Sequence, residues 1–161
     1  MTEKYILNEH IIPDGIMHDQ ELNNISFDGD TLTLSFDIHY YPQNYTDTTL
    51  VEKYKDFKIC RVKCKINDDF FSEVLISTSP DKKRIYQVKE MPIEEFIGLA
   101  NAEIKKRKEK GYFAWSYNNI VLSPNTNFVT IELSIWLKLK RKIYTTCQII
   151  LDTNEIEYIW E

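Results

Sequence analysis

The amino-acid sequence predicts an α+β fold: a mostly antiparallel, strongly bent sheet or partial barrel of about eight to ten strands with one amphipathic helix at about residues 92–110. Three observations predict it. Apolar and polar residues alternate in several separate segments, turn-forming residues stand between these segments, and only one segment repeats apolar residues at helical spacing. The length of 161 residues is typical of a single domain, so residues 1–161 are expected to share one core.

The clearest predicted element is a β-hairpin within residues 15–41. Every second residue from 32 to 40 is apolar and the residues between them are polar, so one face of this strand is expected to be buried. The segment Asp28-Gly29-Asp30 suits the turn, because Gly and Asp tolerate positive φ. In the first arm Leu22 is out of phase with Ile25, which predicts a β-bulge between them.

Further strands are predicted on both sides of this hairpin from the same alternation. They occupy residues 4–12, 51–66, 71–77, 84–89, 112–117, 126–140, 143–151 and 156–160. Polar segments at 43–49 and 67–69, Asn118-Asn119, and residues 140–142 and 152–154 are predicted to be the loops and turns that separate them.

The predicted helix begins at Pro92, which lacks the N–H group that would be unpaired at a first helical position, and ends at Gly111. Acidic residues in its first turn and basic residues near its end match the helix dipole. One apolar stripe is formed by Ile93, Phe96, Ile97, Ala100 and Ile104. The helix is therefore expected to pack one face against the sheet.

The charge distribution indicates the kind of partner. The first fifty residues carry nine acidic groups and one basic group, which disfavours nucleic acid and anionic membranes there and suits a basic protein. Two basic clusters, at residues 105–110 and 138–142, are explained as a helix end and a strand-to-strand turn. No nucleic-acid or membrane partner is therefore expected. The absence of a long apolar run predicts a cytoplasmic protein.

Motifs that would indicate a metal site or a catalytic site are weak in this sequence. His18-Asp19, His39 and Asp37 have no spacing that is diagnostic of a metal site, and no nucleophile or phosphate-loop motif is present. Cys60 and Cys64 would lie about 13 Å apart along a strand, too far for a disulfide. The chain is interpreted as non-enzymatic, with no cofactor, no metal and buried cysteines.

The abundance of aromatic residues predicts a second possibility. A hydrophobic cavity between sheet and helix would bind a small apolar molecule. Its lining would include Phe96, Ile97, Tyr112, Trp115 and Trp136. A large packed aromatic core explains the same residues and is the favoured interpretation of them.

One segment also resembles known sequences. Met17-His18-Asp19 precedes a hairpin of the form I-x-x-x-G-D-x-L-x-L-x-F, which runs from Ile25 to Phe36. This pattern is similar to that of small uncharacterised bacterial proteins and of immunity proteins from bacterial toxin systems. The resemblance implies a non-enzymatic cytoplasmic protein that blocks a toxin, and a basic nuclease would suit the acidic N-terminal third.

The leading hypothesis is therefore a cytoplasmic protein-binding domain that uses an acidic hairpin surface. Charged and polar side chains would steer the partner, and exposed tyrosines would anchor it. The candidate residues are Asp28, Asp30, Asp37, His39, Tyr41 and Tyr45. The sequence leaves the oligomeric state open.

Overall fold

The computed structural model describes residues 1–6, 16–39, 48–67, 72–78, 87–112, 115–123 and 126–161. Within these ranges the chain forms nine strands and two helices. They are β1 (Thr2–Ile6), β2 (Glu21–Asp28), β3 (Thr31–Asp37), α1 (Thr48–Tyr54), β4 (Ile59–Ile66), β5 (Glu73–Ser77), β6 (Val88–Met91), α2 (Ile93–Glu109), β7 (Trp115–Leu122), β8 (Phe128–Leu139) and β9 (Lys142–Trp160).

The strands form one antiparallel sheet that curls into a ring. Neighbouring strands follow the order β4-β3-β2-β7-β8-β9-β5-β6, and β4 also pairs with β9, which brings the sheet back on itself. Between β2 and β7 the described residues pair over a short stretch, with Glu21 opposite Ser116 and Leu22 opposite Trp115. The predicted bent antiparallel sheet is confirmed, and it is not a closed barrel.

The helix α2 packs against β2. The side-chain oxygen of Asn101 accepts a hydrogen bond from the Ile25 N–H at 2.9 Å, and its amide nitrogen donates to the Ile25 carbonyl at 2.7 Å. A helix side chain thus satisfies the backbone groups that a neighbouring strand would otherwise pair. These hydrogen bonds attach α2 to the edge of β2.

The 19-residue strand β9 holds the ring together. Its first half pairs with β8 and β5, and its second half with β4 and β1. The predicted turn at residues 152–154 is wrong. Thr153 is fully buried, and its N–H donates to the Asn127 carbonyl at 2.9 Å. The polar triplet marks an irregularity at which the buried residues of the strand change from odd to even numbers.

Two further boundary predictions are wrong. Residues 51–54 belong to the short helix α1 rather than to a strand, because Tyr54 packs on Trp160, with 4.4 Å between ring centroids, instead of joining the sheet. The predicted turn at Asn118-Asn119 is a register shift inside β7.

Pro92 stands one position before the helix, as its N-cap. The bulge after Leu22 and the β2–β3 hairpin are confirmed.

A carboxylate joins β1, α1 and the end of β9. Glu3 accepts hydrogen bonds from the Tyr54 hydroxyl at 2.9 Å and from the indole N–H of Trp160 at 2.9 Å, and it also pairs with Lys53. Burial alone would raise the pKa of Glu3, but these hydrogen bonds and the charge of Lys53 bring the pKa below its ordinary value. The ionised form of Glu3 is therefore the form that the fold stabilises.

The cysteines are structural. Cys60, Cys64 and Cys147 are free and buried, as predicted. Burial raises the pKa of the Cys64 thiol to about 12, so the nucleophilic thiolate is scarce at neutral pH.

Candidate functional site

The predicted partner-binding residues fall into two groups on the β2–β3 hairpin. Asp28 and Asp30 flank the turn, whereas Asp37 lies at the far end of β3, about 20 Å away at the rise of an extended strand. His39 lies just beyond Asp37. Tyr41 and Tyr45 lie outside the described residues. The structure thus does not bring the predicted acidic residues into one cluster.

The carboxylates of this hairpin are mostly engaged within the fold. Asp37 accepts hydrogen bonds from Lys108 at 2.6 Å and from the Asn23 amide at 2.7 Å. Asp30 accepts one from the Thr31 hydroxyl at 2.9 Å and lies 3.4 Å from the Lys65 ammonium group. The Thr31 hydrogen bond and the Lys65 charge outweigh the small effect of burial and lower the pKa of Asp30.

His39 and Asp28 complete this hairpin. The His39 imidazole lies 3.3 Å from the Glu21 carboxylate, and the backbone N–H of His39 donates to the buried Gln20 side chain at 2.7 Å. The exposed Asp28 side chain has neither a hydrogen bond nor an ion pair with any residue that the structure describes. Asp28 is therefore the acidic candidate that remains available to a partner.

The predicted cavity residues separate into interior and surface. Phe96 and Trp115 stack with 5.8 Å between ring centroids and are 1% and 0% exposed, so they fill the space between α2 and the sheet. Ile97 packs partly buried against the same core. Tyr112 and Trp136 are instead 60% and 45% exposed.

Tyr112 and Trp136 are held together by Arg107. The Arg107 guanidinium carbon lies 5.7 Å from the centroid of each ring, so one cation contacts both aromatic faces. Arg107 lies in the last turn of α2, and the Tyr112 N–H donates to the Arg107 carbonyl at 3.0 Å after the chain reverses at Gly111, with φ of 69°. Trp136 lies in the irregular part of β8. We name these three residues the aromatic–arginine cluster.

A cleft of about 690 Å³ lies between α2 and the tip of the β8–β9 hairpin. Its apolar lining, which we call the floor, consists of the partly buried Leu99 from the helix, and of the partly buried Leu139 and the buried Tyr144 from the hairpin. Its rim carries one carboxylate, from Glu95, and five cations. The cations are Lys89, Lys138, Lys140, Arg141 and Lys142. We name this feature the basic cleft.

The charges of the basic cleft are not balanced inside the fold. Lys89 lies 3.6 Å from Glu95. The other four cations, at positions 138 and 140–142, form no ion pair with the described part of the chain. Lys138, Lys140, Arg141 and Lys142 are exposed at the hairpin tip. The excess positive charge is therefore available to an anionic ligand.

The basic residues of this cleft are visible in the sequence, but the sequence does not show that they line a concave site. Residues 138–142 are visibly basic, but the turn they form explained them locally. The approach of Leu99 and Glu95 from α2, which turns a basic hairpin tip into a concave site, depends on tertiary packing.

Within the described ranges, no group of three or more His, Cys, Asp or Glu residues is arranged to hold a metal ion. None of the helices in that part of the chain is long and apolar enough to span a membrane.

Comparison with known proteins gives no relative. No protein-family model matches the chain, and no curated protein or solved structure matches it significantly.

Proposed function

We propose that this protein is a non-enzymatic protein-binding domain whose contact surface is centred on the aromatic–arginine cluster. The observation that carries this proposal is the exposure of Trp136 and Tyr112 on either side of Arg107. Trp, Tyr and Arg are the residue types that most often dominate the binding energy of protein interfaces. Here all three form one surface cluster.

The arrangement also reduces the cost of binding. Each aromatic ring lies 5.7 Å from the Arg107 guanidinium, so the free protein already restricts side chains that an interface would otherwise have to order. A partner that covers Trp136 and Tyr112 would remove large apolar surfaces from water. Both effects favour association without any bond-making chemistry.

A second contact surface is the tip of the β2–β3 hairpin, which is favoured because Asp28 has no ion pair with any described residue. This surface corresponds to the toxin-immunity type of function, in which acidic groups meet a basic partner. Asp30 and Asp37 support it less, since each already has a cationic neighbour. Charge steering by Asp28 would mainly increase the association rate.

Quantitative affinity purification from the source cells tests which surface is used. The bait proteins are the wild type, Trp136→Ala, Asp28→Lys and a control, Val121→Ala, which truncates another side chain that is 45% exposed. We expect a protein that the wild type and Val121→Ala recover equally and that Trp136→Ala loses by about thirtyfold, as for an interface hot spot of about 2 kcal/mol.

Two outcomes would overturn parts of the proposal. Selective loss with Asp28→Lys would move the contact surface to the hairpin tip. Equal recovery by all four baits, or no specific protein with any of them, would contradict a protein-binding role for both surfaces.

A further inference from the structure

The basic cleft shares no residue with the surfaces that we assign to protein binding, although its Lys138 lies two residues after Trp136 on β8. We propose that this cleft binds a small organic ligand that combines two or more phosphate groups with an aromatic ring system, with nucleoside polyphosphates as the representative class. The proposal does not depend on a protein partner.

The basic cleft carries positive charge that the fold does not compensate. The cleft gathers five cations around one carboxylate in a protein whose net charge is −5. Like charges at close range repel one another, and four of these cations have no counter-charge among the described residues. A polyanionic ligand would supply that counter-charge. Lysines act as phosphate-binding point charges, and Arg141 adds a planar group suited to two phosphate oxygens.

The tip of the β8–β9 hairpin carries a charged residue at a turn position whose conformation favours other residue types. Lys140 occupies the turn with φ of 56°, a left-handed conformation that Asn and Gly adopt at lower cost. A turn selected only for folding would favour those residues. The side chains at 140 and 141 instead add charge at the mouth of the cleft, where a ligand can reach them.

The apolar floor of the cleft favours an organic ligand over free phosphate. Leu99, Leu139 and Tyr144 present apolar surface below the cationic rim. A volume of about 690 Å³ lies within the range of small-molecule sites, about 300–1,000 Å³. Free phosphate would leave this floor uncovered, whereas a nucleoside polyphosphate would place its phosphates on the rim and a face of its aromatic base on the floor.

Isothermal titration calorimetry without added divalent cations, in buffer of near-physiological ionic strength, tests the proposal. The probes are ATP, tripolyphosphate, which supplies charge alone, and adenosine, which supplies the ring system alone. We expect ATP to bind with one site and a Kd below about 1 mM, tripolyphosphate to bind about tenfold more weakly, and adenosine to show no saturation.

Matched variants locate the site. Lys140→Ser/Lys142→Ser removes two rim cations, and Lys105→Ser/Lys110→Ser removes two exposed lysines of α2 and its C-terminal end, outside the cleft. Both have the same net charge, so their difference excludes long-range electrostatics. We expect ATP affinity to fall about tenfold or more in the first variant and about twofold or less in the second. Arg141→Ser provides a second rim variant, and thermal unfolding confirms that each variant is folded.

Three results would overturn the proposal. They are no saturable ATP binding by the wild type, equal affinities for ATP and tripolyphosphate, and equal weakening in the two double variants. The second result would reveal a simple ionic patch rather than a ligand cleft. The third would show that the anion responds to the loss of positive charge anywhere on the protein, rather than to the cleft.

Discussion

Two hairpins of this protein carry concentrated charge, and the fold treats them differently. On the β2–β3 hairpin, Asp37 lies 2.6 Å from Lys108 and Asp30 lies 3.4 Å from Lys65, so the acidic groups have cationic neighbours. On the β8–β9 hairpin, Lys140 and Lys142 have no such partner among the described residues. The difference separates charges that the fold already uses from charges that remain available for binding.

This comparison changes the functional inference. The concentration of acidic residues near the N-terminus predicted an acidic binding surface. Two of the three aspartates proposed for that surface are engaged within the fold. The basic residues at 138 and 140–142 are explained locally by a turn, yet they form no ion pair with the described residues and they line a cleft with an apolar floor. A count of charges locates them along the chain, and only the tertiary structure shows whether they are neutralised.

The strongest test of a paired charge is Glu3→Gln. The substitution removes the charge that Lys53 pairs with and weakens the hydrogen bonds from Tyr54 and Trp160 to a largely buried carboxylate. We expect the free energy of unfolding to fall by about 2–3 kcal/mol in urea denaturation. Glu155→Gln is the control, because Glu155 pairs with Lys4 at an exposed surface, 3.6 Å away, and should change the urea midpoint little. Equal effects of the two substitutions would contradict the account.

The same group predicts a pH dependence. The folded-state pKa of Glu3 lies below its ordinary value of 4.5, so the unfolded chain binds the proton more readily. The stabilisation by Glu3 is complete above about pH 4.5 and is lost as the pH falls through the lowered pKa. We expect urea midpoints between pH 7 and pH 3 to fall more steeply for the wild type than for Glu3→Gln. Parallel curves would show that Glu3 contributes nothing to acid sensitivity.

A smaller effect on the free energy of unfolding distinguishes Asp37 from Asp28 within the β2–β3 hairpin. Asp37→Asn removes the charge that faces Lys108 but retains a side chain able to accept the Asn23 hydrogen bond. We expect a loss of about 0.5–1 kcal/mol in the free energy of unfolding, the range for a partly exposed ion pair. Asp28→Asn is the matched control and should be nearly neutral. A larger loss at Asp28 would reverse the assignment of the paired and unpaired charges.

The smallest expected effect on folding is at the basic cleft. Lys140→Ser/Lys142→Ser removes exposed cations without ion-pair partners in the described chain, so the free energy of unfolding should change by about 0.5 kcal/mol or less. Relief of repulsion between like charges would make any change favourable, and added salt should reduce it. Chemical denaturation at low and high salt measures both. A substantial loss of stability would show that these lysines serve the fold.

Much of the fold could be predicted, because local patterns determine it. The alternation in β3 and β8, the bulge after Leu22 and the apolar stripe of α2 are each visible within about ten residues. The continuity of β9 through Thr153 could not be predicted. The polar residues there resemble a turn, and only pairing on both edges keeps the strand extended.

The candidate sites were less predictable for a related reason. Tyr112 and Trp136 were expected in a cavity because aromatic residues are usually buried, and sequence spacing does not show that Arg107 lies between them on the surface. Similarly, nothing near Asp37 in sequence indicates its contact with Lys108, which is 71 residues away. Both features are long-range contacts, which local periodicity does not encode.

One measurement tests the central distinction most directly: urea unfolding of the wild type and Lys140→Ser/Lys142→Ser, each with and without ATP. We predict equal stability without ATP, and a stabilisation by ATP that is larger for the wild type than for the variant. At free ATP of about one hundred times the wild-type Kd, the stabilisation should be about 2.7 kcal/mol for the wild type and about 1.4 kcal/mol or less for the variant, whose affinity is about tenfold weaker. A variant that is markedly less stable without ATP, or a wild type that ATP does not stabilise, would contradict the claim that the unpaired cations of the β8–β9 hairpin serve binding.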